Sequence, residues 1–183
     1  MLKKSSCIRF GPRFDAKCAD ITSVFGGPIS WVESCRYLGV FFVSARIFQC
    51  SFHDAKSRFF RGFNAIFGKV GRLASDEVVI ALLKAKCLPI LLYATEAVPL
   101  FSRHRQSMEF TITRIFMKLF KTGSSDVVNK CSFRFNFLPI NLQLYIRTAR
   151  FLQRFLAIEN KNSLCYVFAN TARTQLRLIF SHF

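Results

Sequence analysis

Tyr37-Leu38-Gly39-Val40-Phe41-Phe42-Val43 is a β-branched and aromatic run that reads as one buried strand. By Phe52 the period has changed. At 100° per residue, Phe52, Ala55, Phe59, Phe60, Phe63, Ile66, Phe67, Val70 and Leu73 fall on one apolar arc. Arg58, Arg61, Lys69 and Arg72 fall together on the other side. The switch from strand to helix divides the chain. Upstream, Cys7–Phe10 is a loose strand broken by Gly11-Pro12, and Ile29–Val32 follows the turn signal Gly26-Gly27-Pro28.

Downstream the signals are helical. Ser51, with Asp54 three residues on, reads as a helix start close to a capping box. Ser75 caps a second helix, with Asp76 and Glu77 near its positive end, and Pro89 is expected to stop or bend it. A third helix over Arg103–Phe120 has Met108, Ile112, Ile115, Phe116 and Leu119 on its apolar face. Arg103, Arg114, Lys118 and Lys121 form its basic face. A short helix over Asp126–Cys131 and a longer one over Leu142–Ile158, carrying Arg147, Arg150 and Arg154, complete the pattern. Strands first and helices after predict an α+β fold: a small antiparallel sheet and a mostly helical remainder. The expected divisions are 1–50, 51–160 and an unassigned tail, 161–183.

Composition narrows the partners. The 183 residues hold 27 Lys and Arg against 10 Asp and Glu, a net charge of +17. An excess of that size, spread along the chain, calls for a polyanion and suits a folded surface better than a basic arm. The 23 Phe bring large apolar area without a polar handle, so most must be buried. Seven Cys, with no CxxC or CxxxH pair, argue against zinc and read as reduced thiols. Met1-Leu2-Lys3-Lys4 opens no signal peptide. The window Val78–Phe101 carries Lys84, Lys86, Glu96, Pro89 and Pro99, which argues against a spanning helix. A cytoplasmic or nuclear protein that is not secreted is the expectation.

The order of short motifs carries a family likeness. Lys3–Gly11, Ile29–Val32 and Arg36-Tyr37-Leu38-Gly39-Val40 resemble the palm segment after the catalytic hairpin of LINE-type (non-LTR) retrotransposon reverse transcriptases. Ala65–Arg72, Lys86–Tyr93 and Phe116–Thr122 resemble that family's thumb. The likeness covers Lys3 to Pro139. It implies that Lys4 matches the motif D lysine near the incoming nucleotide. It implies that Tyr37, Leu38, Gly39 and Val40 match the primer grip, a hairpin holding the primer end. The helices that follow would then pack on template–primer duplex. The fingers and most of the palm would be supplied by the rest of a parent enzyme.

The departures from that family concern catalysis. Its Tyr-x-Asp-Asp hairpin and an earlier Asp hold two metal ions for nucleotide transfer. This chain has no Asp-Asp pair; its one adjacent acidic pair is Asp76-Glu77. The resemblance therefore implies magnesium (Mg2+) for a complete polymerase, but no catalytic residue, metal site or cofactor within this stretch. The expected partner is RNA or an RNA–DNA hybrid, bound without sequence preference. No P-loop, GxGxxG or GxSxG occurs, and His53, His104 and His182 have no ligand-spaced partner.

Plainer readings stand beside these. Lys4 is an ordinary solvated lysine out of family context, Tyr37–Val40 a core strand, and the basic stripes solvated faces. The alternative functions are a cationic amphipathic protein that associates with membranes, and a translated relic without function.

Overall fold

The computed structural model describes residues 5–71, 73–158 and 163–181. Lys4 and Arg72 lie outside the described residues. The chain divides into two compact units, Met1–Ser57 and Arg58–Phe183.

The first unit is built of short strands. β1 (Ser6–Cys7), β3 (Pro28–Trp31) and β2 (Ile21–Thr22) form one sheet in that spatial order. β1 and β3 pair in parallel, and β2 and β3 pair antiparallel. A second, antiparallel sheet joins β4 (Ser34–Tyr37), β5 (Val40–Val43) and β6 (Gln49–Ser51). The expected α+β class is what is found, but the single antiparallel sheet is two sheets, one with a parallel pair.

The Tyr37–Val43 run is not one strand. Tyr37 pairs with Val40 across a two-residue turn in which Leu38 and Gly39 have φ of 46° and 80°. Positive φ at both central residues marks the mirror-image turn whose twist matches a hairpin. Gly39 adopts it freely; Leu38 does so against its own preference. The tip is wet, with Tyr37 65% and Leu38 72% exposed, so the run is not buried throughout.

The second unit is helical, and its first helix begins within the last residues of the first unit. α1 (His53–Val70) starts two residues after Ser51, whose hydroxyl accepts the His53 N–H at 3.4 Å. Phe59 and Phe63 are fully buried. α2 (Asp76–Leu82) has Ser75 at its N-cap, and a hydrogen bond from Ser75 holds Glu77 below the usual carboxylate range. The helical path does not stop at Pro89. A π-turn over Leu83–Cys87 leads into α3 (Leu88–Leu91), which has Pro89 in its first turn. Proline has no N–H to give and crowds the carbonyl four residues back, and a local π-turn is one way a helix absorbs that. At Gly62, α1 passes close to this bend: an added Cβ would lie 3.7 Å from Cys87 Sγ and from Ile90 Cδ1.

α4 (Ser102–Leu119), α5 (Ser125–Arg134), α6 (Ile140–Ala157) and α7 (Ser163–Phe180) follow. α7, in the stretch the sequence left unassigned, packs on α6 through Ala149, Leu152, Ala172 and Ile179. Two ionic side chains set the corner between α5 and α6. Lys84 Nζ donates to the carbonyls of Phe135 and Asn136, both at 2.9 Å, at the C-terminal end of α5. There Asn136 takes a left-handed φ of 48°, and the Phe137 N–H reaches Ser132 O at 2.8 Å, a Schellman closure. Glu109 Oε2 accepts the Ile140 N–H at 3.0 Å and so caps α6, which begins after Pro139. Among the described residues no helix is long and apolar enough to cross a membrane.

Burial pushes the Glu109 carboxyl above the usual range, partly offset by the Ile140 N–H. A carboxyl whose folded pKa exceeds its unfolded one binds more protons folded, so its contribution to stability declines as pH rises. We expect urea midpoints to fall as pH climbs from the ordinary Glu value through the raised one. Glu109→Gln should remove that component of the slope; an unchanged slope would show that Glu109 is not its source.

Candidate nucleic-acid interface

The faces of α1 and α4 are decided by their large apolar side chains. On α1 the buried Phe59 and Phe63 turn Arg61, Asn64, Ala65, Gly68 and Lys69 outward, and all five are exposed. These positions recur at three and four residues, a single strip of helix surface. Arg58, placed by spacing on the same side, is half-buried on the flank of that strip.

α4 repeats the arrangement. Met108, Ile112, Ile115, Phe116 and Leu119 are buried, as their spacing predicts, together with Thr111. Thr111 satisfies its hydroxyl on Ser107 O at 2.7 Å. Outward stand Arg103, Gln106, Phe110, Arg114 and Lys118. Lys121 follows just past the helix end at φ 52°, and the Thr122 N–H closes back on Met117 O at 3.1 Å. A cation at that place also suits the negative end of the helix.

One contact ties the two strips together. Lys118 Nζ donates to Asn64 Oδ1 at 2.8 Å and lies 5.4 Å from the centre of the Phe67 ring. The partner is neutral, so Lys118 keeps its full charge while its position is fixed. Lys118 thus stands against the exposed strip of α1 that carries Arg61 and Lys69, with Arg114 on its own helix and Lys121 just past that helix's end. The Arg114 guanidinium lies 5.8 Å from the Phe110 ring, and that of Arg103 lies 5.5 Å from Phe101. Spacing alone found the cations but not Asn64, whose only signal was a polar residue on the exposed strip, three after Arg61.

Other cations have different work. Arg147, grouped by spacing with Arg150 and Arg154, pairs with Glu96 at 3.2 Å. Arg105 donates to Tyr145 Oη at 3.2 Å, fixing α4 to α6. The six cysteines with described side chains carry no disulfide, and burial raises the Cys50 and Cys87 thiols, which makes them poor nucleophiles. Among the described residues no three His, Cys, Asp or Glu side chains are grouped so that they could hold a metal ion.

Leu38 and Gly39 make the turn of the β4–β5 hairpin, flanked by the paired Tyr37 and Val40; Tyr37 and Leu38 are exposed, and Gly39 and Val40 are half-buried. Compared with protein-family models, with curated proteins and with solved structures, the chain gives no match.

This arrangement predicts a division between surface and core. Lys118→Met should change unfolding free energy by no more than about 0.5 kcal/mol, as exposed substitutions do. Phe59→Ala should cost about 3–5 kcal/mol, through lost burial and a cavity. Urea unfolding of the two variants measures both, and comparable losses would place Lys118 in the core energetics instead.

Proposed function

We propose that this chain is the primer-grip and thumb portion of a LINE-type reverse transcriptase, and that it holds the backbone of an RNA–DNA hybrid or duplex. The observation that carries the reading is the Lys118–Asn64 bridge, which joins two basic helix strips into one positive seam. A seam of that kind neutralises phosphates and releases their counterions, whatever the base sequence. The net charge of +17 supports it. So does the hairpin at Tyr37–Val40, the local form a primer grip takes, with Tyr37 and Leu38 exposed on it.

Catalysis is not part of the proposal. The Tyr-x-Asp-Asp pair is not in this sequence, and Asp76-Glu77 lies at the start of α2, where the helix dipole accounts for it. Membrane association is the competing reading. Val24, 99% exposed, and Phe25, 87% exposed, at the tip of the β2–β3 turn are what favour it.

Binding of a short RNA–DNA hybrid should weaken steeply with salt, with a log–log slope of about −0.9 per phosphate contact. Changing Arg61, Lys69, Arg114 and Lys118 together to Gln should flatten that slope by about one unit per lost contact and leave the fold intact. A folded quadruple variant with unchanged affinity and slope would reduce the seam to solvated surface. Binding to anionic vesicles but not to hybrid would favour the membrane reading. The purified chain should incorporate no nucleotide on a primed RNA template with magnesium.

A further inference from the structure

A cavity of about 390 Å³ opens between the π-turn with α3 and the corner joining α5 to α6. Its apolar lining comes from Leu88, Leu92, Phe137, Leu138 and Ile146. Three cations face it, Lys84, Arg147 and Arg150, and no carboxylate lines it. Their charges are used differently. Arg147 is neutralised by Glu96 at 3.2 Å. Lys84 is held by two neutral carbonyls, so its position is fixed and its charge is not cancelled. Arg150 is exposed and, among the described residues, pairs with no carboxylate. The cavity therefore keeps two uncompensated positive charges above an apolar floor.

The remaining polar groups favour one kind of ligand. Asn136 and Gln143 also line the cavity. Gln143 Nε2 donates to Leu138 O at 2.6 Å, which orients the amide and leaves its oxygen to accept. An acyl chain has no use for side-chain amides; the edge of a nucleobase does. The volume is within the range of small-ligand sites. We propose that this cavity binds a nucleoside monophosphate, free or as the terminal nucleotide of a strand. The phosphate sits on Arg150 and Lys84, and the base lies against Phe137, Leu138 and Ile146. Arginine suits the phosphate because its planar fork donates two parallel hydrogen bonds. The site is separate from the α1–α4 seam and does not depend on it.

Titration calorimetry of the full chain at low salt tests this with 5′-AMP. We expect saturable one-to-one binding, with adenosine and inorganic phosphate each at least tenfold weaker, since each supplies only half of the contacts. Arg150→Ala should weaken AMP at least tenfold. Ile146→Glu, at an exposed rim position, should abolish binding by placing a carboxylate in the cavity. Circular dichroism should show both variants folded. The Arg61/Lys69/Arg114/Lys118→Gln variant should bind AMP as the wild type does. Competition by a 5′-phosphorylated tetranucleotide would identify a strand end as the occupant; its failure, with AMP still bound, would identify the free nucleotide. Wild-type affinity in Arg150→Ala, phosphate binding as well as AMP, or dodecyl phosphate displacing AMP while AMP itself binds weakly would overturn the proposal. Loss of AMP binding in the seam variant would overturn it too.

Discussion

The helical unit depends on the burial of aromatic side chains that have no polar atom to offer water. Phe59, Phe63 and Phe116 are fully buried. Each such ring carries a large hydrophobic gain and fixes the rotation of its helix about its own axis. Once Phe59 and Phe63 are inward, Arg61 and Lys69 have nowhere to go but out. The same holds for Arg114 and Lys118 once Ile112, Ile115 and Phe116 are inward. The cationic seam is thus a consequence of the core rather than a separate design. The chain has few acids to set against its cations, with 10 acidic residues against 27 basic ones.

Two charged side chains of the unit act on the geometry of the chain. Lys84 closes the end of α5, and Glu109 opens α6. Both act on backbone groups that a helix terminus leaves unsatisfied. Together they turn the chain sharply between two helices, and Phe137, between them, packs edge-on to Phe116 with ring centres 4.9 Å apart. The cavity beside Lys84 arises at this corner. A lysine whose partners are carbonyls holds position as firmly as a salt bridge would, yet it leaves its charge available to an anion.

How much of this could be read in the sequence differed by element. α1, α4 and α6 were legible because Phe, Ile and Leu mark their inward faces at three- and four-residue spacing. α7 was harder to read, because two of the three described side chains it buries, Ala169 and Ala172, are small, and Ile179 is the one large residue among them. The Tyr37–Val43 run misled for the opposite reason: its composition is uniformly strand-like. Its turn depends on Leu38 accepting a left-handed conformation that leucine seldom adopts. Pro89 signalled a break that the π-turn absorbs, and propensity does not register that device. The parallel pairing of β1 with β3 is a tertiary choice that strands of two and four residues cannot announce. At the candidate interface the cations were visible as spacing. Their convergence was not, because it rests on Lys118 reaching Asn64 across 54 positions of chain.

The central claim is that one continuous surface, made by the outward faces of α1 and α4, receives the phosphate backbone. Amide chemical-shift mapping of the labelled chain with a short RNA–DNA hybrid addresses it directly. The account predicts that the largest shifts, removed by high salt, fall together on Arg61, Asn64, Gly68 and Lys69 of α1 and on Phe110, Arg114 and Lys118 of α4. Shifts that leave α1 and α4 untouched would contradict it, as would shifts on only one of the two helices.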